Sequence, residues 1–107
     1  MTPQPKKNNS GQAQIQVAGE GQFRISGDLD YQTIPRVLKS SQSMFAGEQS
    51  LTIDLSEVNR SNSAGLALLI EWMRFAKAEG CSIKFLNIPE QMHQVAQLCG
   101  VEEKLPV

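Results

Sequence analysis

The chain is poor in the residues that build reactive centres, and each scarcity excludes a class of chemistry. It has two cysteines, Cys81 and Cys99, and a single histidine, His93, in 107 residues. The cysteines stand too far apart for a paired-ligand motif, and one histidine does not complete a zinc site, so neither a metal nor a cofactor is expected. Both thiols read as reduced, packed side chains, as suits a cytoplasmic setting. Long apolar runs are also missing. The longest, Ala64 to Ile70, stops at Glu71, far short of the roughly 20 residues needed to span a bilayer. The start, MTPQPKKNNSGQAQ, has two lysines but no apolar segment behind them. A secretory signal or lipid anchor is therefore not expected, and a cytoplasmic location is.

Charge of one sign is lacking too. Ten Lys and Arg offset eleven Asp and Glu, for a net charge of -1. The basic residues are scattered, only Lys6 and Lys7 being adjacent, so no stripe exists to track phosphates and nucleic acid is not an expected partner. No glycine-rich loop with a following lysine occurs, and no serine sits in a nucleophile-elbow pattern. Asp54 has no histidine or second carboxylate spaced to work with it, so it reads as a loop brace, and His93 reads as a surface or partner-facing residue. The chain is not expected to be an enzyme.

What remains is the composition of one small globular domain, 40% hydrophobic and 20% charged, with room for a single core. Residues 1–13, rich in Pro, Lys, Asn and Gln, read as a flexible tail, and residues 14–107 as the domain. Ile15 and Val17 alternate with glutamines, and Phe23 and Ile25 alternate with polar residues beyond Gly19 and Gly21, which predicts a hairpin. The segment Gly27 to Asp30 breaks that alternation. Ile34, Val37, Leu38, Ser41 and Phe45 then share a helical face, with Thr33 and Pro35 at its start and Gly47 at its end.

Ser50 to Leu55 reads as a buried strand, followed by the loop SNSAG and a helix from Ala64 to Glu79 closed by Gly80. Ser82 to Leu86 predicts another strand. A last helix from about Pro89 carries Met92, Val95, Ala96 and Cys99 at core spacing before Gly100, and VEEKLPV adds a short turn. An opening hairpin followed by strand-helix-strand crossovers implies an α/β fold: one domain, a mixed β-sheet with helices packed over it.

The loop Ser61 to Gly65 carries the functional interest. Ser63 precedes an apolar helix, where its hydroxyl is placed either to cap the first turn or to carry a modification. A helix start offers free N–H donors and a positive dipole end, suited to the roughly two negative charges of a phosphoryl group. Gly65 is expected to keep the approach open. At ~100° per residue, Leu66, Leu69, Ile70 and Met73 form one stripe and Leu68, Trp72 and Phe75 a second flank. That arc is wider than one sheet contact needs. The second flank is met either by neighbouring helices or by a partner, for which Trp72 would serve as an anchor.

Ile53 to Leu69, IDLSEVNRSNSAGLALL, resembles the signature of the STAS domain family: a strand ending Asp-Leu-Ser, a short loop, then Asp-Ser/Thr-small-Gly-Leu opening a helix. The resemblance implies a non-catalytic binding module. In the anti-sigma factor antagonists of that family, the serine matching Ser63 is phosphorylated by a partner kinase, and dephosphorylation restores partner binding. The usual aspartate is Asn62 here. The GLALL run, the Ala-Lys-x-x-Gly close at Ala76 to Gly80 and the ending Leu105 to Val107 are most similar to the cytoplasmic STAS subunits of phospholipid-transporting ABC complexes. That similarity implies an accessory subunit held at the inner membrane through the complex and docked on its ATPase. The expected partner-binding residues are Asn62, Ser63, Ala64, Gly65, Leu68, Trp72 and Phe75, with Ser63 the phosphorylation candidate and no insertion into lipid.

Overall fold

A computed structural model describes residues 13–107. The expected tail lies outside the described residues except for Ala13, which is buried and belongs to the core. The elements are β1 (Gln14–Gly19), β2 (Gln22–Leu29), α1 (Ile34–Phe45), β3 (Ser50–Ser61), α2 (Ser63–Glu79), β4 (Ser82–Leu86), α3 (Glu90–Cys99) and a 3-10 turn, Glu102–Lys104. The sheet order is β1-β2-β3-β4. β1 and β2 are antiparallel, and β2, β3 and β4 run parallel. This is the mixed α/β sheet that the pattern predicted.

Strand alternation decides which face is covered. Phe23, Ile53 and Phe85 lie side by side in register, as do Leu51 and Ile83, and with Ile25 and Leu55 they build the apolar face. Arg24, Thr52, Asp54 and Lys84 occupy the other. All three helices contribute to the cluster on the apolar side, through Val37 and Phe45, Leu66, Leu68, Leu69 and Trp72, and Met92 and Ala96. A sheet with one apolar face needs only one layer of helices.

Two strands run further than the pattern predicted. β2 continues through Gly27 to Leu29, and β3 continues beyond Leu55 to Ser61, pairing Ser26 with Glu57 and Leu29 with Ser61. Register shifts flank Gly27, whose φ of 93° suits a residue without a side chain. In β3 the alternation is lost beyond Leu55, where the polar residues are largely exposed, so no amphipathic signal marks that extension. In β2 the alternation runs on through Gly27 to the buried Leu29, with the glycine interrupting the apolar series.

The wide apolar arc of α2 follows from its place in the layer. It packs between α1 and α3 and above the sheet, so it needs apolar side chains on both flanks. Leu68 is fully buried and Trp72 is 1% exposed. The indole Nε1–H of Trp72 donates to Ser41 Oγ at 2.8 Å, and that hydroxyl donates to the Leu38 carbonyl at 2.7 Å. Phe45 tilts between Phe23, Trp72 and Phe75, with ring centroids 4.9, 5.6 and 6.0 Å away, spacings at which aromatic pairs attract beyond simple burial. Cys99, expected in the core stripe of α3, is exposed instead, because the helix is in its last turn there. Cys81 is half-buried, and burial, helped by the nearby Glu79 carboxylate, pushes its thiol pKa up.

Candidate functional site

The candidate site forms where the parallel strands β2 and β3 end side by side, the end of an α/β sheet at which binding sites recur. Asn62 N–H donates to the Leu29 carbonyl at 3.3 Å, which joins the two strand ends. Arg60 Nε lies 3.6 Å from Asp28 Oδ2, and Gln91 Oε1, from α3, accepts the Ser61 N–H at 3.0 Å. Together these residues rim a polar cleft of about 290 Å³.

Asn62, not Ser63, caps α2. Its backbone is extended, with φ -105° and ψ -164°, and its Oδ1 accepts the Ala64 N–H at 2.8 Å. That geometry defines an N-cap, and asparagine serves there as well as aspartate. The Asp-to-Asn departure from the family signature thus keeps the helix start while removing a charge. Ser63 becomes the first helical residue, exposed, with its hydroxyl free of the capping role. It shares a hydrogen bond with the Tyr31 hydroxyl, 3.0 Å away.

Tyr31 is the residue that sequence reading missed. It is 71% exposed, yet it sits in a fixed turn. Asp30 Oδ1 accepts the N–H groups of Gln32 and Thr33 at 2.9 and 3.0 Å, and Thr33 Oγ1 accepts the Asp30 N–H at 3.0 Å while donating to the Asp28 carbonyl at 2.9 Å. The Asp-x-x-Thr spacing from Asp30 to Thr33 was the available signal, since such side chains bond their own backbone two or three residues on. Its closeness to Ser63 spans 32 positions of sequence and is a product of the β2-β3 pairing.

The expected partner-binding set divides. Asn62 and Ser63 are exposed and lie together with Tyr31. Ala64, Gly65, Leu68 and Trp72 are buried, Trp72 at the base of a groove that Phe75 also lines. Gly65 does not hold an approach open. A Cβ there would overlap the Ser61 hydroxyl and come within 3.0 Å of Met92 Cε, so glycine lets the helix start close against β3 and α3. Phe75 is half-buried, at a groove between α1 and α2 that also includes Leu38 and Arg74, on the far turns of the helix from Ser63.

Asp54 lies within β3 rather than at its end, and acts as a brace. Its Oδ1 accepts from Asn87 Nδ2 at 3.0 Å and from Ser56 N–H at 2.9 Å. The Asn87 amide holds its carboxyl below the ordinary value of 3.8, with smaller help from Ser56 and Arg24 against a partial-burial effect of opposite sign. His93 is half-buried rather than on the surface, with Nδ1 3.2 Å from Glu102 Oε2, and ties α3 to the C-terminal turn.

The fold recurs in known proteins. A family model described as "Mlab, STAS domain" matches residues 13–106; the chain belongs to the STAS domain family. Solved structures of similar fold include the anti-sigma factor antagonist SpoIIAA in its unphosphorylated form, at 20% identity and a TM-score of 0.66 over 87% of this chain and 84% of that one. An anti-sigma factor antagonist from Mycobacterium paratuberculosis is similar at 21% identity and a TM-score of 0.66, over 88% of this chain and 81% of that one. The Bacillus cell fate determinant SpoIIAA in its phosphorylated form is similar at 20% identity and a TM-score of 0.65, over 89% and 88%. No curated protein matches the sequence.

Proposed function

We propose that this chain is the accessory subunit of a phospholipid-transporting ABC complex, docking on its cytoplasmic ATPase and supporting that ATPase's assembly and activity without catalysis of its own. The family model, whose description names Mlab, carries the reading. The docking edge is the exposed start of α2, Asn62 and Ser63, joined by Tyr31. An aromatic side chain held in a fixed turn, with a polar tip and an apolar body, has the make-up of an interface anchor. The chain is held at the inner membrane through the complex. Among the described residues no helix is long and apolar enough to cross a membrane.

Ser63→Glu tests the reading. A carboxylate in the first turn suits the helix dipole, so the fold is retained, but bulk and charge replace the small hydroxyl at the docking edge. Loss of co-purification with an ABC ATPase and its permease is expected from native cells, with Tm unchanged or raised. Undiminished capture of the ATPase by the variant refutes docking at this edge.

A second reading, an anti-sigma factor antagonist switched by phosphorylation of Ser63, is favoured by the exposed hydroxyl and the structural neighbours. A phosphoryl group on Ser63 would displace the Tyr31 hydroxyl and add roughly two negative charges beside a cleft that holds Asp28, Asp30 and one cation, Arg60. Pull-down from native cells separates the readings: the first requires an ABC ATPase, the second a serine kinase that phosphorylates Ser63 when ATP is added.

A further inference from the structure

The two edges of the sheet are treated differently by the chain. At β4 the C-terminal segment lies alongside, with Phe85 N–H donating to the Pro106 carbonyl at 2.8 Å and Leu105 buried beneath it. At β1, among the described residues, no strand pairs with the outer side. Gln14, Gln16 and Ala18 are exposed there, and Val17 is 66% exposed. Edge strands are ordinarily protected by a lysine, a proline or an inward charge. From Ala13 to Gly19, AQIQVAG, the chain has none of these.

We propose that β1 pairs with β1 of a second copy of this chain, antiparallel and about a two-fold axis, joining two sheets into one. Three observations favour a second copy over a foreign strand. With the axis at Gln16, Ile15 of each copy faces Val17 of the other on the core side, and Gln16 faces itself on the polar side. The strand is thus self-complementary, as an isologous contact requires. A groove of about 570 Å³ opens between β1 and α1, with Ile15, Val37 and Met44 among its lining residues, and it receives the incoming valine. The charges also match. Arg36 Nη2 donates to the Ala13 carbonyl at 3.1 Å, which places a cation at the start of β1, and Glu20 follows its end. Antiparallel pairing brings each start beside the other copy's end, so Arg36 and Glu20 face each other twice.

A six-residue strand makes a small interface, in the class of weak, concentration-dependent association. Sedimentation velocity on the full chain from about 1 µM to about 1 mM is expected to show the mass rise from 11.8 kDa toward twice that value. Val17→Lys puts a charge at the centre of the edge and is expected to keep the chain monomeric throughout, with an unchanged Tm. Arg36→Glu and Glu20→Arg are each expected to weaken the dimer about tenfold or more, and the double variant to restore it. A wild-type chain that stays monomeric at the top of the range overturns the proposal. Dimerisation of Val17→Lys equal to wild type overturns it as well, and failure of the double variant to recover overturns the antiparallel register.

Discussion

Ser41→Ala tests whether Trp72 belongs to the core. Ser41 is fully buried, and its hydroxyl is the acceptor for the indole N–H of Trp72, itself 1% exposed. Alanine removes that acceptor and leaves the donor in an apolar layer of Phe45 and neighbouring side chains. A neutral hydrogen bond contributes about 1 kcal/mol net, whereas a buried unsatisfied donor costs about 1–3 kcal/mol. A loss of about 2 kcal/mol is expected, and for a domain of this size that lowers Tm by about 8–16 °C. In urea, the midpoint falls by about 1 M. Trp72 is the only tryptophan, so its fluorescence reports on this site in the same titration. In a Trp72→Phe background the donor is gone, and Ser41→Ala is expected to cost at least about 1 kcal/mol less, a coupling that marks direct contact. A Ser41→Ala protein within about 0.5 kcal/mol of wild type refutes the placement of Trp72 and reopens it as an interface residue.

Gly65→Ala sets helix propensity, worth about 1 kcal/mol in favour of alanine, against the overlap with Ser61 and Met92, where overpacking costs about 1–3 kcal/mol. A net loss of about 1 kcal/mol is expected, with shifted Asn62 and Ser63 amide resonances; a variant stabilised by the full propensity gain contradicts the close approach. Tyr31→Ala leaves the stability of the isolated chain within about 0.5 kcal/mol and weakens partner binding by about 2 kcal/mol or more, about 30-fold in Kd, as a truncated aromatic anchor does; equal affinity of the two proteins removes Tyr31 from the docking edge. The lowered pKa of Asp54 gives the remaining prediction. Because the folded state favours its ionised form, its contribution is present above the ordinary value of 3.8 and is lost as pH falls through the folded value. The Tm gap between wild type and Asp54→Asn is therefore constant near neutral pH and closes below that value; a gap unchanged across the acid range refutes the Asn87 brace.

Element by element, the legible parts were those with a local cause. Ser82 to Leu86 was read to the residue, Gly80 closes α2 in a left-handed cap with φ 72°, and the mixed sheet follows from the hairpin and the crossovers. The polar end of β3 was illegible because its residues beyond Leu55 are polar and largely exposed and carry no apolar period, although its partner β2 keeps its alternation to the buried Leu29. The stretch Ile53 to Leu69 points to Ser63 as the candidate site residue. It does not point to the neighbouring Tyr31, since proximity across the strand ends is a consequence of register.

The sequence by itself determined the class of fold and the family, because alternation, turn residues and the Asn62-Ser63-Ala64-Gly65-Leu66 run act within a few residues of one another. Tertiary structure decided the direction of every wide or ambiguous face. It turned Leu68 and Trp72 inward because α1 lies against that flank, closed Gly65 against Ser61 and Met92, and set the Ser63 hydroxyl beside Tyr31. These outcomes depend on which helix lies beside which and where two strands end, and neither is a property of any local stretch of chain.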